Sequence, residues 1–209
     1  MAQKVASELH IYLRDPEQAE ELASQALALS DQYGFALGGR FSQICLGRAR
    51  AQLGRSGEGV ALIRQGLDGM AELGASTGRS RYLTYLAEAQ ALDNAIDDAL
   101  GTIEQALATS FQELYFRPES LRIRGELRLK HGLIEGAERD FREAIALAEK
   151  INAKTLELRA KVSLASVFEK NGQRDEARAM LAEIYSWFNE GFDTADLKDA
   201  KALLDVLSG

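Results

Sequence analysis

GELRLKHGLIEGAERDFREAIALAEK, residues 125–150, decides the fold. A small residue, Gly125, is followed twelve positions later by Ala137, then by Phe141 and Ala144. The i, i+4, i+7 spacing of the last three puts them on one face of a helix, and Gly125 belongs to a helix before it. His131-Gly132 lies between, where a turn is favoured. The stretch therefore predicts helix, short turn, helix, with a narrow seam of small residues where the two helices approach closely.

The same frame recurs along the chain. Ala19–Ala23–Ala26, Gly59–Ile63–Gly66, Ala99–Ile103–Ala106 and Ala177–Leu181–Ile184 repeat the second seam, with successive starts 40, 40, 38 and 40 residues apart when Ala137 is included. Gly47, Ala87 and Ala165 stand where Gly125 stands, twelve residues before a start. A register held through four steps is the mark of a repeat array. Gly54, Asp93-Asn94 and Asn171-Gly172 supply the other turns. The spacing predicts helices near 2–13, 16–31, 36–53, 57–73, 79–91, 95–109, 118–131, 134–150, 154–170, 174–189 and 195–207. Asp15-Pro16 has the form of a helix start, with Asp as cap and Pro at the first position. Thr194 is expected to cap the last helix, which would bury Leu197, Leu203, Leu204 and Leu207 and cover the open end of the stack. Trp187 and Phe188, with Phe192 beside them, are read as its buried anchor. No comparable polar cap is evident at the first helix, which carries Val5, Leu9, Ile11 and Leu13. That end is expected to pack on another domain or on a second copy of the chain.

These residues resemble the tetratricopeptide repeat, which places small residues and an aromatic as Gly125, Ala137, Phe141 and Ala144 stand here. Leu121, Arg128 and Glu149 occupy the places of that family's Trp, Tyr and Pro, and the period is near 40 where about 34 is usual. The longer period leaves HEAT-like or armadillo-like arrays as the alternative architecture. The fold class expected is all-α, an α-solenoid of about five antiparallel hairpins over 1–33, 34–75, 76–112, 113–152 and 153–192, with a capping helix over 194–208, all in one domain, 1–209.

A narrower resemblance runs from about Gly34 to the end. Glu157-Leu158-Arg159-Ala160, Asn171-Gly172-Gln173, Glu176-Ala177-Arg178 and the run Ile184-Tyr185-Ser186-Trp187-Phe188-Asn189-Glu190-Gly191-Phe192-Asp193-Thr194 with Asp196-Leu197 are similar to the C-terminal repeat region of large bacterial signalling proteins. In those proteins a nucleotidyl cyclase or winged-helix domain precedes a signalling ATPase module. The resemblance implies a regulatory, partner-binding array whose cyclase or ATPase modules lie outside this sequence, either a stand-alone array or a fragment.

Chemistry is sparse. The 209 residues are 46% apolar and 27% charged, with a formal charge of 25 − 32 = −7, which repels nucleic-acid phosphates and anionic membranes. No apolar run approaches the roughly 18 residues of a membrane span, and a cytoplasmic setting is expected. Leu53-Gly54-Arg55-Ser56-Gly57-Glu58-Gly59 lacks the Lys-Ser/Thr ending of a phosphate loop and reads as a turn. His10, His131 and the lone Cys45 have no ligand spacing, so no metal or cofactor is expected. Asp93, Asp97 and Asp98 read as an acidic helix start. A nucleophile would need a base beside Cys45 or a serine, and none is visible. The chain is read as a non-enzyme that binds a peptide or partner domain in a concave groove. The alternative is a small-ligand or signal sensor using the same surface, distinguished by a closed, mostly apolar pocket.

By the tetratricopeptide resemblance, groove positions fall six and three residues before the small residue of each first helix and one after it. They are Phe41, Arg81, Glu119 and Arg159, then Ile44, Thr84, Arg122 and Val162, then Arg48, Glu88, Glu126 and Ser166. Four arginines, Arg48, Arg81, Arg122 and Arg159, thus reach the groove of an acidic chain. They suggest a partner with acidic side chains or a free carboxylate, unless Glu88, Glu119 and Glu126 satisfy them internally.

Overall fold

The computed structural model describes residues 2–109 and 115–209, and among these it contains eleven α-helices and no strand. They are α1 Ala2–Tyr12, α2 Pro16–Tyr33, α3 Ala36–Gln52, α4 Ser56–Glu72, α5 Arg79–Leu92, α6 Ile96–Thr109, α7 Arg117–Lys130, α8 Ile134–Lys150, α9 Lys154–Lys170, α10 Arg174–Tyr185 and α11 Ala195–Ser208. Every helix expected from the spacing is present. The chain forms two compact units, Met1–Thr109 and Ser110–Gly209. The first holds the hairpins α1–α2, α3–α4 and α5–α6. The second holds α7–α8, α9–α10 and α11. The repeat boundary expected at 112/113 lies outside the described residues.

Helix ends follow from local chemistry. The Asp15 carboxylate accepts the Gln18 backbone N–H at 3.2 Å, with Pro16 at the first helical position. Between hairpin helices one residue turns left-handed: Gly54, Gly132 and Gly172 at φ near +80°, and Asn94 at +58°. The next residue then donates back across the turn, as in Arg55 N–H to Arg50 O and Gln173 N–H to Phe168 O. Each hairpin is therefore closed by one αL residue, Gly or Asn at low cost in four of them and Arg14, at φ +60°, between α1 and α2.

The seams lie where the frame puts them. Ala19, Ala23, Ile63, Ala99, Ile103, Ala106, Ala137, Phe141, Ala144, Ala177 and Leu181 are fully buried, as are Ala87 and Ala165 on the preceding helices. The α3–α4 crossing is closest: a Cβ on Gly59 would lie 2.5 Å from the Gly47 carbonyl oxygen and 2.7 Å from Ala51 Cβ. Across α7–α8 a Cβ on Gly125 would meet the Phe141 ring at 2.4 Å. The two helix classes also differ in burial. The first helices α3, α5 and α9 bury ten residues each, whereas the second helices α2 and α10 bury three each. First helices are packed on several sides because they touch both their own partner and the first helix of the next hairpin.

The C-terminal end differs from expectation. Helix α10 stops at Tyr185, and Trp187 and Phe192 are 58% and 47% exposed, so they are not a buried anchor. Trp187 stands edge-on to Phe188 at 5.1 Å, with the Lys154 ammonium 5.9 Å from its ring. Its amphipathic indole is satisfied at the surface. Tyr185 and Phe188 reach the core instead, beside Leu197, Ala200 and Leu207 of α11. Leu203 and Leu204 are only partly buried. Thr194 precedes α11, but its hydroxyl donates to Gly191 O at 2.7 Å and caps no helix N–H.

The seam geometry fixes the sign of two glycine substitutions. Gly59→Ala gains up to about 1 kcal/mol of helix propensity, but its methyl meets backbone that cannot swing away, so a net loss of about 1–3 kcal/mol is expected. Gly101→Ala, in α6 with nothing within 4 Å of the added carbon, should stabilise by about 0.5–1 kcal/mol. Urea unfolding of the two variants should move the midpoint in opposite directions. Equal shifts would refute the close crossing.

Candidate functional site: the first-helix face

The small residue of each first helix sits in the joint with its second helix. A side chain three residues earlier shares that face, and one six residues earlier or one residue later is turned away from it. In the first unit this places two expected groove residues inside the joint. Ile44 is fully buried against Gly66, and Thr84 is fully buried with its hydroxyl donating to Ser80 O. Neither lines an accessible surface. Phe41 is half-buried, its ring 5.7 Å from that of Tyr82.

The charged positions form links between first helices. Arg48 on α3 reaches Glu88 on α5 at 3.0 Å and lies flat over Tyr85, with 4.0 Å from the guanidinium carbon to the ring centroid. Arg81 on α5 reaches Glu8 on α1 at 2.7 Å and donates to the hydroxyls of Tyr12 and Tyr82 at 3.2 and 2.9 Å. Burial pushes the Tyr82 and Tyr85 phenols above their usual pKa, so both remain neutral hydroxyls.

The second unit repeats the device. Arg122 on α7 grips Glu119 with two hydrogen bonds at 3.0 and 2.7 Å, and lies 3.7 Å from Glu126. Arg159 on α9 donates twice to Asp196 on α11 at 2.9 and 2.8 Å, with Glu119 at 3.6 Å. Burial opposes the Arg159 charge, but Glu119 and Asp196 outweigh it and raise its pKa. Glu126 accepts the Ser163 hydroxyl at 2.6 Å, and Ser166 donates to Val162 O. All four arginines thus hold internal carboxylates, so an acidic partner would compete with groups of the chain itself.

Glu8, Tyr12 and Asp196 sit on the first and last helices, to which the repeat frame assigns no groove position. A usable signal existed for one pair: Arg48 and Glu88 occupy the same repeat position 40 residues apart. Two further clusters occur in the second unit, one across the α7–α8 joint and one along α9. Arg124 and Arg128 both bind the buried Asp140, at 2.7 and 2.8 Å. Lys154 and Lys161 each reach the buried Glu157 at 2.8 Å.

Phe41 also lines a cavity of about 630 Å³ in the first unit, with Gln3, the end of α2 and the start of α3. Among the described residues no group of three or more His, Cys, Asp or Glu side chains is placed to hold a metal ion. His10 is tied to Asp15 at 3.0 Å. No described helix is long and apolar enough to cross a membrane.

No protein-family model matches the chain, and comparison with curated proteins finds no match. Solved structures do match its fold. The TPR-like repeats of a kinesin light chain described from Podosopora anserina align at TM-score 0.62 and 22% identity, covering 88% of this chain and 92% of that one. A signal transduction ATPase with a tetratricopeptide repeat sensor, from Pyrococcus horikoshii, aligns at TM-score 0.72 and 15% identity, over 99% of this chain and 32% of its own length. A Rap protein complexed with competence and sporulation factor aligns at 0.66 and 13%, over 97% of this chain and 61% of its own. The chain thus has the tetratricopeptide-like fold.

Glu157 gives the second unit an acid-labile element. Burial opposes its charge, but hydrogen bonds from Lys154 and Lys161 outweigh that and hold its pKa below the usual value. A depressed carboxylate contributes stability that is present above its unfolded pKa and lost as pH falls through the folded one. Thermal midpoints should therefore fall below about pH 4.5, and Glu157→Gln should cost on the order of 1–3 kcal/mol at neutral pH while showing a shallower acid decline. Parallel acid profiles for the two proteins would count against the cluster's role.

Proposed function

We propose that the chain is a protein-interaction repeat array, with residues 1–209 acting as one repeat domain, that binds a peptide or a partner domain across its first-helix face. We place it in a cytoplasmic bacterial signalling system, regulating modules of the cyclase or ATPase kind that the sequence resemblance implies. The observation that carries the reading is the set of charged and aromatic side chains linking first helices within each unit. A helix pair needs only the seams to pack, and these polar links lie outside the seams. They hold side-chain positions fixed before a partner arrives, which lowers the ordering cost of recognition. The Rap and ATPase-sensor likenesses support a regulatory array.

The internally paired arginines change the expected partner. An acidic segment would have to displace Glu88, Glu8, Glu119 or Asp196, so net acidity is not what the face selects. Half-exposed groups such as Glu126 and Val162 are the points a bound segment would touch.

A displayed peptide library panned on the purified protein should enrich a family of binders. Glu126→Arg, which reverses charge at a half-exposed position, should weaken the best binder about tenfold or more, a loss of about 1.4 kcal/mol. Arg178→Ala, on a second helix, should leave it unchanged. Binding indifferent to Glu126→Arg but lost in Arg178→Ala would move the site off the first-helix face.

A further inference from the structure

The cavity of about 630 Å³ lies apart from the charged links, between Gln3 of α1, the last two turns of α2 and the first two turns of α3. Its walls are Ala26, Leu29, Phe35, Leu37 and Phe41, with Ala26 and Ser42 buried at the base. Among the described lining residues none carries a charge. The two serine hydroxyls are spent on their own helices, Ser30 donating to Ala26 O at 2.8 Å and Ser42 to Gly38 O at 2.9 Å. The Gln3 carboxamide, whose nitrogen also donates to Gln25 Oε1 at 3.2 Å, and the Tyr33 hydroxyl are the other polar side-chain groups of the lining.

The mouth follows from the turn between the helices. Gly34, at φ +70°, ends α2 and brings Tyr33 and Phe35 to the same edge, with their ring centroids 6.2 Å apart. Both are more than 60% exposed. Two uncovered aromatic rings above an apolar hollow form a surface that water solvates poorly.

We infer that this cavity is a binding site for a small, uncharged, largely apolar molecule carrying one polar group within reach of Gln3. Its volume falls within the range of about 300–1,000 Å³ that small-molecule sites occupy. A charged ligand would lose hydration with no opposite charge to replace it. An extended peptide would bring an N–H and a C=O per residue to a wall that offers few unspent partners. The inference shares only Phe41 with the groove positions of the first-helix reading, the other lining residues lying outside that set.

The test uses the full chain and a neutral fluorescent probe, N-phenyl-1-naphthylamine, with light scattering followed in parallel. Saturable binding of one probe per chain is expected. The anionic 8-anilinonaphthalene-1-sulfonate should bind at least about tenfold more weakly. Leu37→Asp should also lower neutral-probe affinity at least about tenfold. The new acid lies in the first turn of α3, where the helix dipole favours it, so the fold is retained. Absent saturation, or equal affinity in Leu37→Asp, would overturn the inference. So would light scattering that reports a wild-type oligomer dispersed by Leu37→Asp, which would reassign the cavity to a second copy. Library-selected peptides that displace the probe would reassign it to a partner segment. Failure of the library to enrich any binder would bear on the first-helix face alone.

Discussion

The contact between Gly47 on α3 and Gly59 on α4 is the constraint on which the hairpin depends. With no Cβ on either side, the backbones meet so closely that an added carbon would sit 2.5 Å from a carbonyl oxygen. Elsewhere the frame makes the same joint by other means: alanine on both helices at Ala87–Ala99, or glycine receiving an aromatic ring at Gly125–Phe141. Small residues at one face leave the rest of the first helix free to meet its neighbours. This is why α3, α5 and α9 are buried around most of their circumference while α2 and α10 keep only a stripe.

Helices buried on several sides would ordinarily be apolar throughout, yet these carry Arg48, Gln43, Glu119, Glu157 and Lys161 at under a tenth exposed. An isolated buried charge is costly, and a pair offsets that cost only when geometry is good and the remaining donors are used. The structure goes part of the way by giving each guanidinium more than one partner, although the buried Arg81 Nε makes no hydrogen bond. Arg48 has Glu88 and the Tyr85 face, Arg81 has Glu8 and two phenols, and Arg159 has Asp196 and Glu119. Apolar side chains could fill the same volume, but they would fix the sliding of one first helix against the next less well, because dispersion contacts are non-directional.

The seams were legible because they are local. Spacings of 4, 7 and 12 residues lie within one hairpin, and helical periodicity converts them directly into faces. The turns at Gly54, Asn94, Gly132 and Gly172 were legible for the same reason, each using a residue that tolerates positive φ, whereas Arg14 carries no such signal. The groove positions were legible only in part. Counting from the small residue located Arg48, Arg81, Arg122 and Arg159, but which face a residue three positions earlier takes depends on the crossing. Ile44 fell into the α3–α4 joint for that reason. Partners such as Glu8 with Arg81 lie 73 residues apart on non-consecutive helices, a separation that no local pattern encodes. Trp187 misled because size alone argues for burial, whereas the chain leaves helix α10 two residues earlier and turns the indole outward.

The two units treat their exposed ends differently, and the difference bears on function. In the second unit α11 adds one more first-type helix to α9, and Asp196 fills the Arg159 fork that would otherwise face outward. In the first unit the turn Tyr33-Gly34-Phe35 leaves two rings and a hollow uncovered, and α1 leaves Val5, Leu9 and Leu13 exposed. The charge pairs are made among the chain's own helices, whereas the apolar side chains around the Tyr33-Gly34-Phe35 turn meet no partner helix that would cover them.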